Sequence, residues 1–225
     1  MIILLTGSSK GIGSYLYSNL KKKNTVVGIS SSDSKNTDYI CDISKKDEVR
    51  KIFNKIQKID VLINNASVTE VRKNKILNFE ETLNVNLNGT FYCSHYALTK
   101  LKKSKIKRII NISSINAHVG FPNNPGYVAS KGGVSALTRS LAVDYGKFGI
   151  KVNSLSPGYI STGMSKKSYD DIVRRKQRSK NTILNCWGKP IDVLGAVEFL
   201  ISKKSNYITG SDIVIDGGWL AKGLK

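Results

Sequence analysis

Short apolar runs alternate with longer amphipathic segments along the whole chain. The runs IILLT (2–6), TVVGIS (25–30), DYIC (38–41), DVLINN (60–65), KRIINIS (107–113), IKVNSLS (150–156) and DIVID (212–216) are of strand length and rich in β-branched residues. Strands separated by helical segments predict right-handed βαβ units and a parallel sheet covered on both faces. Between them, SKKDEVRKIFNKI (44–56) places Val49, Ile52, Phe53 and Ile56 on one helical face, and Ser44 with Asp47 reads as a capping box. Residues 79–103 and 126–148 predict two longer helices. The stretch 159–190 is polar, basic and irregular between well-marked elements, which suits a mobile lid over a site. Residues 219–225 read as a short tail. The expected fold class is α/β: a doubly wound, seven-stranded parallel sheet with helices on both faces, in one domain spanning 1–225.

Composition narrows the function classes. A chain of 225 residues suits one sizeable core. Hydrophobic residues make up 40% and charged residues 23%, ordinary values for a soluble globular protein, and no apolar run approaches the roughly 18 residues that would span a bilayer. The opening MIILLT lacks a basic leader and a small-residue cleavage site, so it reads as the first strand. Cys41, Cys93 and Cys186 are odd in number and widely spaced, which points to neither a disulfide framework nor a zinc site and suits a reducing cytoplasm. The net charge of +20 favours acidic partners. Lysines are nevertheless spread along the chain, and only KLKKSKIKR (100–108) and VRRKQRSK (173–180) are dense. No nucleic-acid module pattern accompanies them, so nucleic acid is not the expected ligand.

The segment LLTGSSKGIGSYL (4–16) runs from a strand through Gly7, Gly11 and Gly13 into a helix. That is the order a dinucleotide site needs: glycines admit the pyrophosphate to the backbone, and the helix N-terminus offers free N–H groups and positive partial charge. Tyr127 and Lys131 are four apart at a predicted helix start, hence on one face about one turn apart. A nearby ammonium stabilises a phenolate and makes tyrosine a better acid or base near neutrality. Ser114 lies thirteen residues earlier, at the C-terminal end of a predicted strand, the edge at which open α/β sheets bind ligands.

The TGxxxGxG spacing of Thr6 to Gly13 resembles the cofactor motif of the short-chain dehydrogenase/reductase family. NNAS (64–67), CDIS (41–44), NVNLNGTF (84–91), NISS (111–114), YVASK (127–131), SPGYIST (156–162) and YITGSDIVIDGG (207–218) resemble further family motifs in the same order, so the resemblance covers residues 2–219. It implies a Rossmann-type fold and a catalytic set of Asn86, Ser114, Tyr127 and Lys131. Tyr127 would protonate the carbonyl oxygen and Ser114 hydrogen-bond it. Lys131 would tune Tyr127 and bind the nicotinamide ribose, and Asn86 would hold a water linking Lys131 to solvent. The resemblance assigns the cofactor to Thr6, Gly7, Ser9, Lys10, Gly11, Ile12 and Gly13, with Asp42 and Ile43 at the adenine. Asn65 and Ala66 follow the fourth strand, and Pro157, Gly158, Ile160 and Thr162 meet the nicotinamide carboxamide beside Tyr127 and Lys131. A carboxylate at the end of the second strand would bind the NAD ribose and repel a 2′-phosphate. Ser30 occupies that place, with Lys10 nearby and Asp33 three residues late, so NADP(H) is favoured over NAD(H).

Other residues carry plainer expectations. Ser113 reads as a strand residue, His95 as packed or interfacial, His118 as lining a substrate pocket without a catalytic role, and Cys186 as an ordinary thiol near the lid. The sequons at Asn65, Asn88 and Asn111 fall inside the motifs and are not glycosylation signals. Ser67 and Gly163 depart from the family pattern, as does NCWGKP (185–190), which lacks an arginine before its tryptophan. Within the family the chain looks most like the 3-oxoacyl-(acyl carrier protein) reductases of bacterial fatty-acid synthesis. Its charge would suit an acidic carrier, and Arg174, Arg175, Lys176, Arg178 and Lys180 of the lid could meet carboxylates or a substrate phosphate. The alternatives are a dehydrogenase of a sugar, polyol or other alcohol and, against the complete catalytic set, a non-catalytic nucleotide-binding regulator. The resemblance also implies a homotetramer or dimer through the helices at 79–103 and 126–148 and through the C-terminal strand.

Overall fold

A computed structural model describes residues 1–69, 75–163 and 165–222. The strands are β1 (Ile2–Thr6), β2 (Thr25–Ser30), β3 (Tyr39–Ile40), β4 (Val61–Asn64), β5 (Arg108–Ile112), β6 (Lys151–Pro157) and β7 (Asp212–Ile215). They form one parallel sheet in the order β3-β2-β1-β4-β5-β6-β7. Alternate strand residues face opposite layers, as a period of two requires. Leu4, Leu62, Ile109 and Val152 pack on one side with Val49 and Phe53 of α2 (Lys46–Lys55) and with Cys93, Ala97 and Leu101 of α4 (Gly89–Lys103). Leu141 and Tyr145 of α5 (Pro125–Gly146) complete that layer. Ile3, Leu5, Val61, Ile63, Ile110 and Leu155 pack on the other side with Leu16 and Leu20 of α1 (Gly11–Leu20) and Val193 and Val197 of α8 (Pro190–Ile201). The expected single-domain, doubly wound sheet is therefore the observed one.

Chain order reverses beside β1: β2 and β3 extend the sheet one way, and β4 returns to β1's other edge. Crevices at the C-terminal ends of strands open at such a switch point. Among the described residues no helix is long and apolar enough to cross a membrane.

Several local expectations need correction. Ser44 and Asp47 do not form a capping box. The N-cap of α2 is Lys45, without a side-chain cap, and the Ser44 hydroxyl donates to Asp42 (2.7 Å). Glu48 accepts the Asp42 N–H instead (3.0 Å), so the acid one residue further on closes the turn. The long helix expected from 79 begins earlier, as α3 (Lys75–Leu83), and passes through a π-turn (Asn84–Asn88) before α4. The stretch read as irregular contains α6 (Lys166–Asp170) and α7 (Ile172–Lys180). Residues 219–222 are not a free tail: Trp219 packs edge-on to Tyr159 with centroids 6.4 Å apart, the Leu220 N–H donates to Asp216 (2.7 Å), and Lys222 donates to the Lys180 carbonyl. Arg108, in the dense basic run 100–108, is buried, and its guanidinium donates to the Leu200 carbonyl at the C-terminal end of α8 (3.1 Å) and to Asn206 (2.6 Å). A cation there satisfies carbonyls the helix leaves open.

Candidate active site

The glycine turn closes tightly on itself and on β4. Gly7 has a left-handed φ of +68°, and a Cβ on Gly13 would lie 2.0 Å from the Gly7 carbonyl oxygen, inside van der Waals contact. Thr6 and Asn65 brace this turn from behind. The Thr6 hydroxyl accepts the N–H groups of Asn65 (3.0 Å) and Ala66 (3.1 Å), and the Asn65 amide donates to the carbonyls of Thr6 (3.0 Å) and Gly7 (3.1 Å). Helix α1 then starts at Gly11 from an extended Lys10 with no side-chain cap and no acidic residue in its first turn. Its first N–H groups and positive dipole end are thus left for an anion. Ile12 opens the same turn, half-buried, and the Thr162 side chain stands 3.9 Å from where a Cβ of Gly11 would be.

At the end of β2 three hydroxyls gather beside this turn. Ser30 donates to Ser9 (2.8 Å) and Ser32 donates to the same oxygen (3.3 Å), while Lys10 and Asp33 are exposed. Sequence reasoning placed Ser9 and Ser30 here but missed Ser32, whose position two residues past the strand carries no motif. Asp42 holds the N–H and hydroxyl of Ser44 with one oxygen, and Ile43 is buried against Gly89. Beyond β6, the Gly158 N–H donates to Ile215 (2.9 Å), Ile160 bridges to Gly188, and the Ser165 hydroxyl donates to the Ile160 carbonyl (2.6 Å) while accepting the Thr162 N–H (3.0 Å). Those bonds fix the loop from Pro157 to Thr162 at the sheet edge.

Ser114, Tyr127 and Lys131 come together where the sequence placed them. Ser114 follows β5 in extended conformation, and its oxygen caps the 3₁₀ turn Ile115–Ala117 by accepting the Asn116 N–H (3.2 Å). Tyr127 lies in the first turn of α5, which Pro125 starts, with its phenol near the Ser114 hydroxyl. Lys131 is buried one turn on; its ammonium lies 5.5 Å from the Tyr127 ring centre and donates to the Ile112 carbonyl (2.8 Å). Burial pushes the Lys131 ammonium down to about 7, and burial likewise raises the phenol of Tyr127, against the influence of the nearby Ser114 hydroxyl, which lowers it. Desolvation therefore outweighs the mutual help expected of the pair and presses both toward neutral forms.

Asn86 sits buried in the π-turn, and its side chain is fully engaged. It accepts the Val68 N–H (2.8 Å) and donates to the Val68 carbonyl (2.8 Å) and to Ser130 (3.0 Å), while the main-chain carbonyl of Asn86 accepts the Thr90 hydroxyl (2.7 Å). The amide thus ties the loop after β4 to α5 beside Lys131, a contact between distant segments that no local pattern announces. Ser113, expected within the strand, lies one residue past β5, buried, and donates to the Lys131 carbonyl (3.1 Å). His118 does not point freely into a pocket: its Nε2 pairs with Asp212 (2.8 Å), which also accepts from Ser154 and Ser156. His95 is exposed and lies against Phe91, with ring centroids 5.9 Å apart.

Comparison with known proteins agrees with this arrangement. A family profile described as enoyl-(acyl carrier protein) reductase matches residues 14–220. The chain is 35% identical over 235 residues to a 3-oxoacyl-[acyl-carrier-protein] reductase of Rickettsia typhi, covering 96% of this chain and 95% of the relative. It is 37% identical over 193 residues to a 2-dehydro-3-deoxy-D-gluconate 5-dehydrogenase of Bacillus subtilis, covering 83% and 76%. Among solved structures, a 4-hydroxyisoleucine dehydrogenase complexed with NADH superposes with a TM-score of 0.90 at 32% identity, covering 98% of each chain. A gluconate 5-dehydrogenase of Burkholderia cenocepacia in complex with NADP and tartrate superposes with a TM-score of 0.90 at 26% identity, covering 98% and 95%. With the doubly wound sheet, the glycine turn and the Ser114–Tyr127–Lys131 cluster on one edge, these likenesses establish that the chain belongs to the family of NAD(P)-dependent short-chain dehydrogenases/reductases.

Proposed function

We propose that this chain is an NADP(H)-dependent carbonyl reductase acting on a 3-oxoacyl thioester, with Tyr127 as its acid/base. The observation that carries the reading is the convergence of Ser114, Tyr127 and the buried Lys131 at the C-terminal edge of β5, with the Lys131 ammonium 5.5 Å from the Tyr127 ring centre. A carbonyl oxygen placed between the two hydroxyls receives hydrogen bonds from both, and Tyr127 delivers its proton as negative charge develops there. The bound cofactor supplies the hydride, and the chain's part is placement and electrostatics. Lys131, when protonated, stabilises the phenolate left behind. Asn86 keeps the Lys131 side of the cleft in register through Val68 and Ser130.

The uncapped start of α1 suits a pyrophosphate, with Gly7, Gly11, Ile12 and Gly13 beside it. The Ser9, Ser30 and Ser32 hydroxyls with Lys10 suit a 2′-phosphate better than a bare ribose, since no carboxylate stands among them. Asp42, Ile43 and Ala66 flank the adenine side, and Pro157, Gly158, Ile160 and Thr162 the nicotinamide side, under a lid at about 159–190. A second reading, oxidation of a sugar acid or related alcohol, is favoured by the 37% identity to the Bacillus subtilis dehydrogenase. The working assembly is a homotetramer.

The test follows NADPH absorbance with acetoacetyl thioester on acyl carrier protein, with NADH and Tyr127→Phe in parallel. The proposal expects turnover that falls about 10²–10⁴-fold in the variant and is weak with NADH. Oxidation of a sugar acid with no thioester turnover would move the chain to the second reading. Undiminished turnover in Tyr127→Phe would remove the tyrosine from its role.

A further inference from the structure

The lid carries a second concavity that the reaction above does not use. A cavity of about 500 Å³, open to solvent, is walled by Arg175, Lys176 and Lys180 of α7, by Lys189, and by Cys186 and Trp187 of the loop before α8. Four cations and no carboxylate line it. The acids of α6 and the turn after it are engaged elsewhere: Asp170 pairs with Lys166 (2.6 Å), and Asp171 caps α7 and pairs with Arg174 (3.2 Å). Among the described residues no carboxylate pairs with Arg175, Lys176, Lys180 or Lys189. Like charges around one concavity repel, and a bound anion would reverse the sign of that term.

The wall is also ordered, which separates it from a spray of surface lysines. Arg175 lies over the Tyr169 ring (5.2 Å), and its carbonyl accepts the indole N–H of the buried Trp187 (3.2 Å). Trp187 in turn packs against Tyr169 and Tyr159, at centroid distances of 5.3 and 5.2 Å. Stacking holds a guanidinium in one orientation, so less side-chain freedom is lost when it meets an anion. Only Lys180 of the four belongs to the last turn of α7 and so has the helix dipole as a reason to be there. We infer that this cavity is a binding site for a phosphate group, either carried on a substrate or free in solution. A dianion with three acceptor oxygens matches several converging cations better than a single carboxylate does. The inference does not depend on which carbonyl compound the active site reduces.

The cavity holds its own reporter. Cys186 is exposed, whereas Cys41 and Cys93 are buried. With NADPH present to fill the glycine turn, inorganic phosphate is expected to slow labelling of Cys186 by an uncharged disulfide reagent. At constant ionic strength set with chloride, the slowing should reach roughly threefold at twice the dissociation constant. The double substitution Lys176→Gln with Lys180→Gln, and separately Lys189→Gln, should remove most of that protection. Half-protection by dihydroxyacetone phosphate at a lower concentration than by inorganic phosphate would assign the site to a substrate-borne group; equal concentrations would assign it to free phosphate. Equal labelling rates in phosphate and chloride would overturn the inference, as would protection that survives both sets of substitutions. Labelling needs no turnover, so its outcome is independent of the thioester assay.

Discussion

Lys131 keeps 2% of its surface exposed and offers its ammonium to a main-chain carbonyl, with no carboxylate pairing with it among the described residues. Such burial lowers its protonation from the ordinary 10.5 to about 7. The sign of the consequence follows from proton counts. Below pH 7 folded and unfolded chains both carry the proton, and the folded chain bears the full penalty of a buried cation. Between pH 7 and 10.5 the unfolded chain binds more protons than the folded one, so stability rises with pH. Lys131→Met is therefore expected to be more stable than the parent at pH 6, by on the order of a few kcal/mol. That advantage should shrink as pH climbs from 7 toward 10, as read by paired urea titrations. A difference that stays constant over this range would mean that Lys131 does not titrate there. On the proposed reading, the site tolerates this penalty because a cation one turn from Tyr127 serves the proton transfer.

At the scale of elements, the glycine turn and α1 act as one unit. Its geometry leaves no room for a side chain at Gly13, so Gly13→Ala must push the turn away from β4 or tilt α1, at a cost of about 1–3 kcal/mol. The expected result is a lower melting temperature and at least about tenfold weaker NADPH binding by fluorescence titration; unchanged binding would show that the turn does not form the pyrophosphate site. The glycine turn and all seven strands were legible in the sequence because each rests on a local pattern: apolar continuity, glycine spacing, or a four-residue interval on a helix. The Tyr127–Lys131 pair was legible for the same reason. What escaped depends on contacts between distant segments. The π-turn around Asn86 is shaped by Val68 and Ser130, which lie 18 and 44 residues away. α7 is amphipathic only against its own aromatic cluster, and Trp187, twelve residues from the Arg175 it holds, gives a polar stretch an ordered helix. The mistaken cap of α2 is the complementary lesson: Asp42, two residues before Ser44, takes the serine's N–H and hydroxyl in an Asx-type turn, so that hydroxyl does not cap the helix.

For the molecule as a whole, the surface raises the question of assembly. Single exposed apolar side chains are ordinary, but Val143 of α5 is 79% exposed, and Phe91 of α4 is 41% exposed with the tilted His95 ring beside it. With a net charge of +20, separate copies repel at low salt, so any self-association must come from such apolar faces rather than from charge. The proposed homotetramer makes a quantitative demand: light scattering should give about four times the chain mass of 24.8 kDa. Raising the salt should leave that mass unchanged or strengthen the assembly, because screening removes repulsion while apolar burial persists. Val143→Glu places a carboxylate where two copies of α5 would meet across a twofold axis, and in a symmetric contact each substitution acts twice. The variant is expected to fall to smaller species while its circular dichroism stays that of the parent. A parent that scatters as a single chain at every salt concentration would remove the tetramer and leave Val143 and Phe91 as ordinary surface residues.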